Sequence, residues 1–177
     1  MEVEAKHDVL LRSLEKYYAE TPGAFDSFND VIEGKTRMSL RVLDWLVTNY
    51  CKKRNIVYTV RVNDQDVPFN MFMLYKSQLK AYSKKYFDPF CRRGRVKHRG
   101  IETTCGQLNF FRWAIQYGVL DYATTHHDEI EQDMLSSIQH RYMHGARKAE
   151  DTKRKELSKA AIKTCTTTMV KVKVKFN

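Results

Sequence analysis

The chain has 177 residues, 42% of them apolar, which is enough for one hydrophobic core. Thirty-one Lys/Arg against 21 Asp/Glu give a net charge of +10, while 7 Gly and 3 Pro are too few for a low-complexity chain. No stretch has the length of an apolar transmembrane span, and the polar start MEVEAKHD is not a secretory signal. The four cysteines, Cys51, Cys91, Cys105 and Cys165, include no CxxC pair, so reduced thiols are expected and neither a disulfide framework nor a zinc ribbon.

Residues 4–19 read as a helix with Leu10 or Leu11, Leu14 and Tyr17 or Tyr18 on one face, stopped by Thr21-Pro22-Gly23. Residues 24–35 read as irregular, with Phe25 and Phe28 as anchors, and residues 1–38 as a peripheral region. Thr36 or Ser39 caps a second helix to about residue 53, its apolar stripe Leu40, Leu43, Val47 and Tyr50 widened by Trp45 and Leu46. Ile56–Val62 is the clearest strand of the first half. After a turn at 63–66, a helix is expected from Pro68 to Tyr86, with a strand at 67–73 as the alternative.

Thr104-x-x-Gln107 is a capping box opening a helix whose residues Leu108, Phe110, Phe111, Trp113, Ala114 and Ile115 leave only Asn109, Arg112 and Gln116 as a polar stripe. A helix apolar nearly all round is buried, so Trp113 belongs to the core; a groove-reading recognition helix would be more polar. Residues 118–122 read as a break. Thr125-x-x-Asp128 then caps a helix to about 144, with Ile130, Met134, Ile138 and Tyr142 in register. Residues 146–177 read as a basic surface helix and a terminal strand, Val170, Val172, Val174 and Phe176 facing one way and Lys171, Lys173 and Lys175 the other. The fold expected is α+β: one mostly helical domain over 1–177 with a small antiparallel β element that includes the C-terminal strand. Two strands alone make a marginal sheet, so the tail either pairs with Ile56–Val62 or completes the sheet of a second copy, giving a homodimer.

Catalytic signatures are missing: there is no phosphate-binding loop, dinucleotide fingerprint, nucleophile elbow or HExxH. His140 and His144 stand four apart on one helix, with His126, His127, Glu129 and Asp133 near in sequence, yet no third ligand is fixed, so no metal or other cofactor is expected. Cys91 sits among arginines with His98 as its only local base, which is thin ground for a thiol catalyst. The chain reads as a non-enzyme.

The charge is concentrated. Within 84–99 (KKYFDPFCRRGRVKHR), Lys84, Lys85, Arg92, Arg93, Arg95, Lys97 and Arg99 face one acid, Asp88, for a net +6. Tyr86, Phe87 and Phe90 stand at its leading edge, placed to stack on bases or to pack the foot of the loop. Residues 145–177 carry a further +7, and the rest of the chain is slightly acidic. Such a segment is built to meet a polyanion, and the sequence-nonspecific phosphate backbone of nucleic acid is the partner expected, with Lys171, Lys173 and Lys175 in support. Solvated loop surface is the plainer reading.

The stretches YKSQLKAYSKKYFDPFCRR (75–93), ETTCGQLNFFRWAIQYGVLDY (102–122) and KELSKAAIKTCTTTMVKVKVKF (155–176) resemble an uncharacterised family of small basic proteins of large nucleocytoplasmic DNA viruses, marseillevirus-like ones among them. The resemblance spans 39–176 and carries no catalytic residues. It implies a viral, virion-associated protein acting in the host cytoplasm, virus factory or host nucleus. The expected function is therefore a non-enzymatic virion or core protein binding nucleic acid, most simply DNA. The alternative is a structural protein–protein interaction module of the particle, meeting other virion proteins, or of a host-factor complex. No membrane partner is expected.

Overall fold

The computed structural model describes residues 6–62 and 64–144. Helix α1 (Lys6–Glu20) buries Leu10, Leu14 and Tyr18, one residue per turn along a single face. Gly23, at φ 73°, turns the chain into α2 (Ala24–Ile32). This helix replaces the irregular stretch expected at 24–35. Its polar residues hid the period, but Ala24, Phe28 and Val31 share a buried face, and Phe28 meets Phe111 edge-on at 5.1 Å. Residues 6–38, read as peripheral, thus supply Leu14, Tyr18 and Phe28 to the core.

Ser39 caps α3 (Leu40–Trp45), its hydroxyl accepting from the Val42 N–H at 3.2 Å. The helix runs on through a π-helical turn, Leu46–Tyr50, into α4 (Cys51–Arg54), and Asn55 ends it in a left-handed conformation. Strand β1 (Val57–Val62) pairs antiparallel with β2 (Gln65–Asn70), Tyr58 opposite Phe69 and Val60 opposite Val67. The expected helix start at Pro68 is therefore a strand. A two-stranded ribbon has free edges on which a proline can sit. The helix begins at Met71, where the Asn70 side chain accepts from the Met73 N–H. This helix, α5 (Met71–Tyr86), is interrupted at Ser83, a non-glycine residue at φ 55°.

A second hairpin follows, β3 (Arg95–His98) with β4 (Ile101–Thr104), and leads directly into α6 (Cys105–Gln116). Among the described residues the β element is thus two separate hairpins, β1 with β2 and β3 with β4. Helix α6 is the centre of the domain: α1, α2, α5, α7 (Val119–Thr125) and β4 all pack on it, and Trp113 is 3% exposed. One half of the expected capping box forms, with Thr104 accepting from the Gln107 N–H, while the Gln107 side chain turns to Thr103 and Pro89.

Gly118 (φ 67°) turns α6 into α7, a short helix where a break is expected. Thr125 does not cap the last helix; its hydroxyl donates back to the Asp121 carbonyl within α7. Helix α8 (His127–His144) follows, burying Ile130 and Met134. The whole is a mostly helical α+β domain. The helix read at 147–163 and the tail strand with Lys171, Lys173 and Lys175 lie outside the described residues.

A candidate basic interface

The foot of the basic segment is clamped to the first turns of α6. The Asp88 N–H donates to the Gly106 carbonyl at 3.1 Å, and the Gln107 side-chain amide donates to the Pro89 carbonyl at 2.9 Å. The Asn109 amide donates to the Tyr86 carbonyl at 2.8 Å. Gly106 permits this approach: a Cβ there would stand 3.1 Å from the Lys85 carbonyl oxygen and 3.4 Å from the Phe87 nitrogen. Two polar residues of a nearly all-apolar helix are thus explained. Gln107 and Asn109 are buried and satisfy the backbone of the segment they hold.

The aromatics divide. Phe87 is fully buried against Tyr75, Phe110 and Trp113, so it packs and is not available to stack on a ligand. Phe90 and Tyr86 are half-buried. The Arg92 guanidinium lies 4.5 Å over the Phe90 ring and the Lys85 ammonium 5.0 Å over the Tyr86 ring.

The seven cations divide as well. Arg92 grips the buried Asp88 carboxylate through both terminal and ε nitrogens, at 2.9–3.2 Å. Arg95 pairs with Glu102 across the hairpin. Arg99 donates to the Tyr18 carbonyl at 2.9 Å and covers the Phe25 ring at 4.9 Å. Lys84 is half-buried and its charge is felt by the buried Asp44. Arg93 and Lys97 are exposed and carry no ion pair or hydrogen bond to another described side chain. Strand alternation puts Arg95 and Lys97 on the outer face, with Val96 and His98 turned inward.

A buried acid lies behind these cations. Burial pushes the Asp44 carboxyl up to about 6, the nearby Asp88 adding to the shift and Lys84 and Arg92 opposing it. His98 is no partner for Cys91. It packs between the Tyr18 and Phe25 rings, its Nε2 is buried without a hydrogen bond among the described residues, and burial lowers its proton affinity.

Sequence reading missed a second cysteine. The Cys105 Sγ lies 3.2 Å from His7 Nε2, and His7 Nδ1 lies 3.0 Å from an Asp8 oxygen, the order of a nucleophile, a base and its orienting acid. But Cys105 is 3% exposed, and burial together with the charges of Asp8 and Glu15 raises its thiol. A buried thiol that keeps its proton is placed as a hydrogen-bond donor to the imidazole. Nothing in the sequence pairs residues 98 positions apart. A polar cleft of about 390 Å³ opens between α1, α5 and α6, lined by Lys16, Tyr17, Tyr82, Arg112 and Tyr117 among others. Arg112 is spoken for there by Ser13 and Asn109. Among the described residues no helix is long and apolar enough to cross a membrane.

Comparison with known proteins adds context. An uncharacterised protein of Acanthamoeba polyphaga mimivirus, L507, is 42% identical over 114 residues, covering 59% of this chain and 44% of the relative. The aligned part is thus less than half of that relative's length, and its printed name assigns no activity. No solved structure matches. The resemblance to proteins of large DNA viruses is met at the level of this mimivirus relative. The family model for a family of unknown function, DUF7197, matches residues 3–149, and the chain belongs to that family.

Proposed function

We propose that the protein is a non-enzymatic viral protein that binds nucleic acid, most simply DNA, through phosphate contacts. The observation that carries this reading is the split among the seven cations. Arg92, Arg95 and Arg99 are used by the fold, whereas Arg93, in the bend before β3, and Lys97, on β3, stay exposed and unpaired among the described residues of a segment whose foot is fixed to the core helix. Lys85 and the outer edge of Arg92, each beside a half-buried aromatic ring, extend the cationic surface. Such a surface neutralises phosphates without reading base edges. Lys171, Lys173 and Lys175, outside the described residues, would add to it. Association with the virion or its core, in the virus factory or host nucleus, follows as the setting in which a basic viral protein meets DNA.

Titration of the full chain with labelled DNA and RNA at several salt concentrations tests this. The logarithm of affinity should fall linearly with the logarithm of salt, with little sequence preference. Absence of binding at low salt overturns the reading. A second reading, a structural protein–protein interaction module of the particle or of a host-factor complex, draws on the exposed Val57, Val67 and Met73 around the first hairpin. The homodimer proposed through residues 168–177 is tested by light scattering. A dimer mass that reverts to one chain when those residues are deleted supports it.

A further inference from the structure

We infer that His127, Asp128 and Glu131, at the start of α8, form a binding site for a divalent transition-metal cation such as zinc. The surroundings of His127 fix which ring nitrogen carries its hydrogen. His127 Nε2 lies 3.0 Å from the Arg37 carbonyl oxygen. A carbonyl only accepts, so Nε2 carries a hydrogen. In the neutral ring Nδ1 is then a bare lone pair. That lone pair faces two carboxylate oxygens, Asp128 Oδ1 at 3.3 Å and Glu131 Oε2 at 4.0 Å. Three electron-rich atoms pointed at one another need a positive charge between them, which a proton on Nδ1, donated to Asp128, or a bound cation in its place supplies. The His127 side chain is only 9% exposed, so water screens the contact poorly.

The placement suits a metal. Nitrogen or oxygen ligands about 2 Å from a tetrahedral zinc lie roughly 3.3 Å apart, which the His127–Asp128 pair already meets. The ligand atoms of all three residues fall within 4.8 Å of one another. Glu131 follows His127 by one helical turn and is exposed enough to swing inward. The surroundings supply what metal ligands ordinarily have behind them. The far ring nitrogen of His127 is held by a backbone carbonyl, and the Asp128 carboxylate is held by Arg37 at 2.6 Å. Both supports come from one residue of the loop between α2 and α3, so an ion here would fasten that loop to α8. Asp128 is 76% exposed, which leaves room for water as a fourth ligand. One nitrogen and two carboxylates favour zinc or manganese over a soft-ligand metal.

The test is zinc titration of the untagged full chain by isothermal calorimetry, with thermal melting as a second readout. One zinc per chain and a raised melting temperature are expected. Glu131→Gln, at a half-exposed surface position, should fold and weaken zinc at least tenfold, and Asp128→Asn should do the same. His140→Ala should leave the affinity unchanged. No uptake at 100 micromolar free zinc, or uptake that Glu131→Gln weakens less than tenfold, overturns the site. His127→Ala also removes a buried hydrogen bond, so the carboxylate variants decide the matter.

Discussion

The hairpins β1–β2 and β3–β4 are both short antiparallel ribbons, but they are held by different means and show solvent different charge. The first is anchored by apolar rings. Phe69 is 1% exposed and meets Tyr58, Trp113 and Tyr117 at 5.0–6.0 Å, while the Tyr58 hydroxyl donates to the Tyr117 carbonyl. Its outward charges are mixed, with Arg61 near Asp64 and Asp66 on the facing strand. The second hairpin is anchored by a histidine with an unpartnered nitrogen and by an arginine on a backbone carbonyl, and its outward charges are mostly cations. The comparison separates two uses of charge. A ribbon of this kind forms without surplus cations, so Arg93 and Lys97, without an ion pair among the described residues, are not what holds the second one.

The largest expected effect breaks the first hairpin. Phe69→Ala should destabilise the domain by about 3–5 kcal/mol in urea unfolding, because it empties the most deeply buried apolar anchor of β1–β2. A loss below ~1 kcal/mol would mean that the ribbon is not held as described. The next effect probes the acid behind the second region. In the folded chain the Asp44 carboxyl is raised to about 6 by burial, above its unfolded value. The folded state therefore holds that proton more tightly, and stability is lost as pH rises from about 4 through about 6. Asp44→Asn removes the titration. The variant should be more stable than the parent at pH 7.5 by up to about 3 kcal/mol, with the gap closing near pH 4. Equal gaps at both pH values would show that the carboxyl is not desolvated.

A smaller effect tests the weak anchor of the second hairpin. His98→Phe keeps the ring between Tyr18 and Phe25 and removes the unsatisfied Nε2, so it should stabilise by about 1 kcal/mol. A loss instead would reveal a partner for that nitrogen. The smallest change in stability carries the most information on function. Replacing Arg93 and Lys97 together by Ala should shift unfolding by less than about 0.5 kcal/mol. The same change should lower the salt slope of nucleic-acid affinity by about 0.7–0.9 per lost contact, while Arg61→Ala leaves it unchanged. Equal slopes for all three would remove the distinction between the hairpins.

Much of the fold is readable from local signals. The stripe Leu10, Leu14 and Tyr18, the caps at Ser39 and Thr104, and the nearly all-apolar 108–115 each carry their own physical reason. What escaped depends on partners far along the chain. Helix α2 was hidden because its polar residues dilute a stripe that matters only once Phe111 is beside it. Strand β2 stood only as the alternative to a helix, because Pro68 is as welcome at a helix start as on a ribbon edge and only the pairing with β1 decides. The second hairpin was masked by its charge, since basic runs read as loop. Within the basic segment the cations were legible but not their division: Asp88 is near enough in sequence to suggest Arg92, whereas nothing hints that Tyr18 would occupy Arg99. The His127 and Glu131 spacing, one helical turn apart, was visible and could have been weighed with Asp128. The Arg37 carbonyl that fixes the ring was not.

The π-helical turn at Leu46–Tyr50 has a consequence for how this stretch can vary. Such a turn amounts to an α-helix with one residue inserted, which rotates everything after it by about 100°. That rotation puts Cys51 wholly inside and brings the Tyr50 hydroxyl to Glu129 at 3.0 Å. The stretch is therefore constrained in length more than in identity. Loss of a single codon between 46 and 50 would re-form a regular helix and turn both contacts away from their partners.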